Sequence, residues 1–255
     1  VRSLEGVGVD RARWSELAEM GIFSLRRPEA EGGVGLGWAD AVLVFEELGR
    51  AVVPGPLVWS HLAAGLVPGA ASGATIVGGI ERADPSRLIE HAAALDVVLI
   101  LDDDGVWSVD ASTIAVTPIE TPLDPWTPVA RAAAPLPQGA RVLDAEGADL
   151  LRWQGAALVA ALQLGIAEAS TDLAVAFSRD RVQFDRPIGT FQALKHMMAD
   201  MLVRTEVDVQ LERRGLDLAR HGAEQALEQL VHVHALLRHV QLAVHDPRRV
   251  EQVVD

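Results

Sequence analysis

Cysteine is absent from the 255 residues, so no disulfide, thiolate nucleophile or thiolate metal ligand is available. That absence suits a reducing cytoplasm. Lysine is almost absent as well: Lys195 is the single one, and arginine carries the rest of the positive charge. Lys and Arg together number 22 against 36 Asp and Glu, a formal net charge of −14. Such a balance argues against a nucleic-acid partner, which needs a basic stripe for the phosphate backbone. A long uninterrupted apolar run is missing too. The longest, "GAALVAALQLGIA" at 155–167, is broken by Gln163 and falls short of the roughly 20 residues of a membrane span. It reads as a buried core helix. The opening "VRSLEGVGVD" has no apolar core of signal-peptide type, so the expectation is a cytoplasmic protein with no membrane span.

What is present is ordinary globular material, 49 % hydrophobic and 23 % charged, enough for one large domain or two to three small ones. The periodicity divides it into three zones. Residues 1–72 read as an N-terminal helical domain. In "DRARWSELAEMGI" Trp14, Leu17 and Met20 share a face, Asp10 is the expected N-cap and Gly21 the stop. A glycine-rich loop then leads to a helix over about 38–52, ended by Pro54 and Pro56, and to a short helix near 56–66. Residues 73–145 change to β-branched runs and read as a small middle β-domain. "DVVLILDDDGVWSVD" predicts a hairpin turning at Asp103-Asp104-Gly105, and "ATIVGGI", "TIAVTPIE" and "TPVARAAA" predict further strands of a small antiparallel sheet. Residues 146–255 return to helix as a C-terminal helical bundle. One long apolar helix over about 147–180 is expected to sit centrally among others. The turn Pro187–Gly189 separates it from a second helix capped by Thr190, with Phe191, Leu194, Met198, Met201, Leu202 and Val209 on one face. The fold class is α+β, mainly α.

Two stretches carry a resemblance. "WSELAEMGIFSLRRPEAEGGVGLGWADAVLVFEELGRAVVPGP" and "GIAEASTDLAVAFSRDRVQFDRPIGTFQALKHMMADM" resemble landmarks of the acyl-CoA dehydrogenase family of FAD-dependent enzymes. The second matches a long signature, Arg-x-Gln-Phe-Gly-Arg-Pro-Ile-Gly-x-Phe-Gln-x-x-Lys-His-x-x-Ala-Asp-Met. In the family this bend holds the ADP half of FAD across a subunit interface. The resemblance therefore implies that Arg181 contacts the pyrophosphate, that Gln183 and Phe184 follow along the dinucleotide, and that Gln192 bonds the adenosine part. A guanidinium's fixed donors suit phosphate oxygens, and a helix N-terminus favours a nearby anion. Asp185 departs from the family's usual glycine and puts a carboxylate close to that pyrophosphate.

Other family parts are absent. The family removes the α-hydrogen of an acyl-CoA as a proton, with a glutamate as base, while the β-hydrogen leaves as hydride to the flavin. In one branch that glutamate lies on the long helix, and counting back from Arg181 puts Gly155 there. In the other it lies in a late Glu-Gly-Thr segment, which does not occur here. Glu224 and Glu228 read as a solvated helix face, so no catalytic residue is assigned. The flavin-binding Thr-Glu-x-x-x-Gly-Ser-Asp segment is missing between 68 and 145. The family's Trp-(Ile/Phe)-(Thr/Ser) strand is missing there too; Trp107-Ser108 and Trp126-Thr127 are the nearest echoes, each read as a packed tryptophan on a strand or turn. The family's Gln-x-x-Gly-Gly-x-Gly run belongs between Leu230 and Val231, where a segment of the family pattern is skipped. His232, His234, His239 and His245 read as helix-face residues, and no metal site is assigned.

The resemblance thus implies the degenerate, non-catalytic subunit of a paired enzyme of the kind found in actinobacterial steroid and lipid catabolism. Its partner would be a homologous acyl-CoA dehydrogenase subunit in an α2β2 heterotetramer. That subunit would hold the catalytic glutamate and most of the acyl-CoA, and electrons would pass to an electron-transferring flavoprotein. Two alternatives stay open: an active homo-oligomer with its base in the skipped segment, and a scaffold without enzymatic activity.

Overall fold

The computed structural model describes residues 9–205. These fall into two compact units, one made of residues 9–41 and 53–155, the other of 42–52 and 156–205. Of the three division points, 41/42 and 155/156 fall inside helices, so each unit is built from parts of the same long elements.

In the first unit α1 (Arg11–Glu19) starts where expected. The Asp10 carboxylate accepts from the Ala12 N–H, and Gly21 takes a left-handed conformation just past the C-cap. Trp14 is buried and stacks on Phe23 with 4.5 Å between ring centroids. Helix α2 (Trp38–Arg50) crosses into the second unit, and α3 (Leu57–Leu62) follows the two prolines. Strands β1 (Val77–Glu81), β2 (Leu88–Glu90), β3 (Val97–Asp102), β4 (Gly105–Asp110), β5 (Val116–Pro118), β6 (Val129–Ala132) and β7 (Ala140–Asp144) complete the unit.

The predicted hairpin is there: Asp102 pairs with Gly105, leaving Asp103-Asp104 as a two-residue turn. The expectation of one small antiparallel sheet needs correction. There are two sheets, ordered β1-β3-β4-β7 and β2-β6-β5, and β1 runs parallel to β3. The parallel pair arises because the chain leaves β1 to place β2 in the other sheet before returning. Strands β2 and β7 have no alternating apolar pattern long enough to mark them in the sequence. The pair of glycines in β1 is set by packing, since a side chain at Gly79 would run into the Trp59 ring and one at Gly78 into Leu95. Trp107 lies on β4 with the Arg82 guanidinium 5.9 Å from its ring centre. Trp126, expected to be packed, instead stands 53 % exposed on a turn where Asp124 accepts from its N–H.

Helix α4 (Ala145–Asp180) is 36 residues long. Its first turns belong to the first unit, where Arg152 makes a two-pronged pair with Glu81 at 2.8 and 3.1 Å and also meets Asp149. By length and apolar composition α4 is the one described helix that could cross a membrane, and 28 % of its most apolar stretch is buried within this chain. The expectation of a central, buried helix therefore holds only in part.

In the second unit α4 packs on the end of α2. A side chain on Gly49 would strike the Leu162 backbone, and one on Gly165 would strike the backbone of Glu46 and Arg50. The two glycines let the helix backbones touch. Beside them Arg50 bonds Glu168 and lies 3.4 and 3.5 Å from Glu47 and Glu46. Burial and the neighbouring Glu168 push the Glu46 carboxyl above its usual range.

Two histidines of the first unit give a pH prediction. His61 is buried with Nδ1 2.9 Å from the Ile22 carbonyl oxygen, and His91 is buried under a left-handed backbone. Burial lowers both pKa values below the ordinary 6.5. The unfolded chain therefore binds more protons than the folded one, and stability is lost as pH falls through the unfolded value. Thermal unfolding between pH 7.5 and 5.5 should show Tm dropping in the native chain. The drop should be shallower in a His61→Gln, His91→Gln double variant, and equal slopes would contradict it.

Candidate functional site

The residues singled out in the sequence cluster where α4 ends. The Arg181 N–H still donates to the Phe177 carbonyl at 2.9 Å, closing the last helical turn. The helix therefore ends at Asp180, where the sequence placed its end, and a separate bend follows before the Pro187–Gly189 turn. Two short strands follow, β8 (Val182–Gln183) and β9 (Arg186–Pro187), paired antiparallel. Phe184 and Asp185 form the tip, both left-handed at φ 53° and 64°. Two positive φ values in a row describe a primed hairpin turn, which Asn and Gly occupy cheaply and phenylalanine does not.

A 3-10 turn, Ile188–Thr190, leads to the next helix, whose described part is 192–205. Thr190 does not cap it. Its hydroxyl donates 2.7 Å back to the Pro187 carbonyl, and the residue before the helix is Phe191. Phe191 thus leaves the apolar helix face assigned to it. Its ring instead meets Phe184 edge-on at 6.1 Å and carries the Arg186 guanidinium 4.1 Å from its centre. That stack ties the hairpin tip to the start of the following helix. Arg186 and Phe191 were not among the expected site residues. The signal is an arginine and a phenylalanine five apart across a turn, which helix periodicity alone does not reveal.

Arg181, Gln183, Phe184 and Gln192 are all exposed, and Phe184 reaches 86 %. Arg181 has no ion-pair partner among the described residues. The Gln183 amide donates to its neighbour's carbonyl, Val182, at 2.9 Å, and the Gln192 amide nitrogen lies 3.3 Å from His196 Nε2. Arg181, the Gln183 amide and the solvent-facing Phe184 ring thus stand on one hairpin with Asp185 at its tip, and the Gln192 amide stands at the start of the next helix.

Asp172 and Asp180 are the acids of α4 nearest the hairpin, and the position where the resemblance would put the family's base is Gly155. A Cβ at Gly155 would be 3.5 Å from Leu62 and 4.0 Å from Val58, an apolar setting. Glu168, the next acid along the helix, is held by Arg50. Among the described residues no group of three or more His, Cys, Asp or Glu could hold a metal. Glu224, Glu228, His232, His234, His239, His245, Val209 and the Leu230/Val231 junction lie outside the described residues.

Comparison with known proteins agrees with this architecture. The family profile described as "Acyl-CoA dehydrogenase, N-terminal domain" matches residues 3–74, and "Acyl-CoA dehydrogenase, C-terminal domain" matches 153–243. The chain is 39 % identical over 208 residues to the acyl-CoA dehydrogenase IpdE2 of Mycobacterium tuberculosis, covering 77 % of this chain and 62 % of that protein. It is 32 % identical to FadE34 of the same organism over 86 % of this chain and 33 % of that one. The chain thus spans 62 % and 63 % of the two IpdE2 relatives it matches. Among solved structures, the ChsE4-ChsE5 complex from Mycobacterium tuberculosis superposes with a TM-score of 0.66 at 24 % identity, over 87 % of this chain and 72 % of that one.

Proposed function

We propose that this chain, which belongs to the acyl-CoA dehydrogenase family, serves as the non-catalytic subunit of a paired enzyme, lending its hairpin to a cofactor that a homologous subunit holds. The observation that carries the reading is a combination: glycine in an apolar setting at position 155 of α4, and at the helix end an exposed Arg181 with no ion-pair partner among the described residues. A subunit built to abstract a proton needs a carboxylate within reach of its substrate. A subunit built to donate contacts outward needs exposed ones.

The hairpin fits the ADP half of FAD. Arg181 supplies charge-assisted donors to a pyrophosphate, Gln183 and Gln192 supply amides, and Phe184 offers a ring face or edge. When bound, FAD supplies the hydride acceptor for α,β-dehydrogenation of an acyl-CoA. This chain's residues bind and orient the dinucleotide, and the partner's glutamate takes the proton.

The outer face of α4 supports a partner. Val159, Ile166, Leu173 and Phe177 are 41 %, 42 %, 71 % and 60 % exposed and follow one another at spacings of seven, seven and four. That is a helical stripe of the kind that packs against another helix. A homologous subunit in an α2β2 assembly is the occupant we assign, by analogy with the ChsE4-ChsE5 complex that shares the fold. A steroid-derived acyl-CoA held mainly by the partner, an electron-transferring flavoprotein as acceptor and a cytoplasmic setting complete the reading.

The test is expression alone and together with a homologous subunit. Dehydrogenation and flavin colour confined to the co-purified complex are expected, and full activity of the isolated chain would overturn the proposal. Asp185 gives a finer check. Its exposed carboxylate opposes a pyrophosphate by about 1 kcal/mol at most across screened solvent. Asp185→Gly should therefore tighten FAD retention by up to about fivefold. The left-handed φ also suits glycine. Weaker retention in that variant would count against the assigned contact.

A further inference from the structure

The first unit holds a cavity of about 360 Å³, within the range of small-molecule sites, that none of the hairpin residues touches. Its wall is cationic in a chain whose net charge is −14. The ionisable groups lining it are Arg26, Arg27, Glu31 and His61, and burial keeps His61 neutral. Glu31 is taken by Arg27 at 3.2 Å. Arg26 is left over: no carboxylate pairs with it among the described residues.

The Arg26 guanidinium lies 3.4 Å above the centre of the Trp38 ring, which fixes its plane. Its Nε is buried and has no acceptor among the described residues, and the Arg27 Nε is in the same position. Burial alone lowers the Arg26 pKa to about 10. A half-buried cation with no compensating charge is costly to keep, and stacking on one face does not replace an acceptor at its edge. The rest of the wall is apolar, with Phe23, Leu62, Leu150 and Leu151, and Gln154 brings one amide.

We propose that this cavity binds a monocarboxylate with an apolar body, the carboxylate seated on Arg26 and the body against the leucines. The cation and the apolar lining together select that class. A bare inorganic anion would leave the leucines unfilled, and a neutral apolar molecule would leave the guanidinium uncompensated. The inference rests on the first unit alone and does not depend on the subunit role proposed above.

The experiment is calorimetric titration of the full chain with octanoate, octan-1-ol and inorganic phosphate, repeated on Arg26→Met. Octanoate should bind the native chain and weaken by about tenfold or more in Arg26→Met, the loss of a charged hydrogen-bonding partner. Octanol should bind weakly and equally to both. The variant should keep its Tm, because it removes an uncompensated cation and retains an apolar stem. Leu150→Trp, at a partly exposed position on the wall, provides a second arm and should block octanoate to a similar degree. Octanoate affinity unchanged in either variant, phosphate binding as tightly as octanoate, or no octanoate binding at all would overturn the proposal.

Discussion

Gly165→Ala should lower the stability of this chain by about 3 kcal/mol, while Gly155→Ala ten residues earlier on the same helix should raise it by about 1 kcal/mol. In both positions alanine is the better helix former, by roughly 1 kcal/mol. What differs is the space. At Gly155 a methyl would make ordinary contact with Leu62 at 3.5 Å. At Gly165 it would meet the backbone of Glu46 and Arg50, which cannot step aside without opening the crossing of α2 and α4. Overpacking against backbone outweighs propensity. For a chain of this size the pair of changes corresponds to Tm shifts of roughly −6 to −12 °C and +2 to +4 °C. Differential scanning calorimetry of the two variants checks it, and a Gly165→Ala chain as stable as the native one would refute the packing account. Gly155 also bears on function, since no packing demand keeps a side chain, or a base, out of that position.

Arg181→Ala should cut FAD retention in the assembled complex by about tenfold or more, with the complex itself intact. The estimate follows from one charge-assisted contact to a phosphate, worth roughly 1.5–3 kcal/mol. Because Arg181 is exposed and pairs with no carboxylate among the described residues, its removal leaves no orphaned partner and should barely move Tm. Flavin absorbance per complex after gel filtration, read beside Tm, separates the two effects. Unchanged flavin content would move the chain toward a scaffold role.

How far the sequence carried these conclusions depended on the range of the interaction. Local chemistry was legible. Asp10 caps α1, the Asp103-Asp104 turn closes its hairpin, and α4 begins and ends within a few residues of expectation. Long-range pairing was not. Nothing in "ATIVGGI" says that β1 will lie parallel to β3, because strand periodicity fixes which face is buried and not which neighbour is chosen. Glycines at 49 and 165 would by propensity alone weaken two helices, and only the close approach of the two backbones gives them their use.

At the site, the identities of Arg181, Gln183, Phe184 and Gln192 came from a motif, and the structure adds why the bend has its form. The left-handed pair at 184–185 explains why a glycine would suit position 185, and the Arg186–Phe191–Phe184 stack holds the tip in place. The Thr190 cap failed because a threonine hydroxyl can turn back to a nearby carbonyl as readily as forward to a helix. The Arg26 cavity left no mark in the sequence, since one of two successive arginines looks like any solvated charge until its surroundings close over it.

The most direct test of the central claim is the native mass of the co-purified complex together with its flavin count. A heterotetramer carrying one FAD for every two chains is the expected result, since each cofactor would be held by one subunit and clasped by the hairpin of another. A homo-oligomer of this chain holding one FAD per protomer would contradict the account.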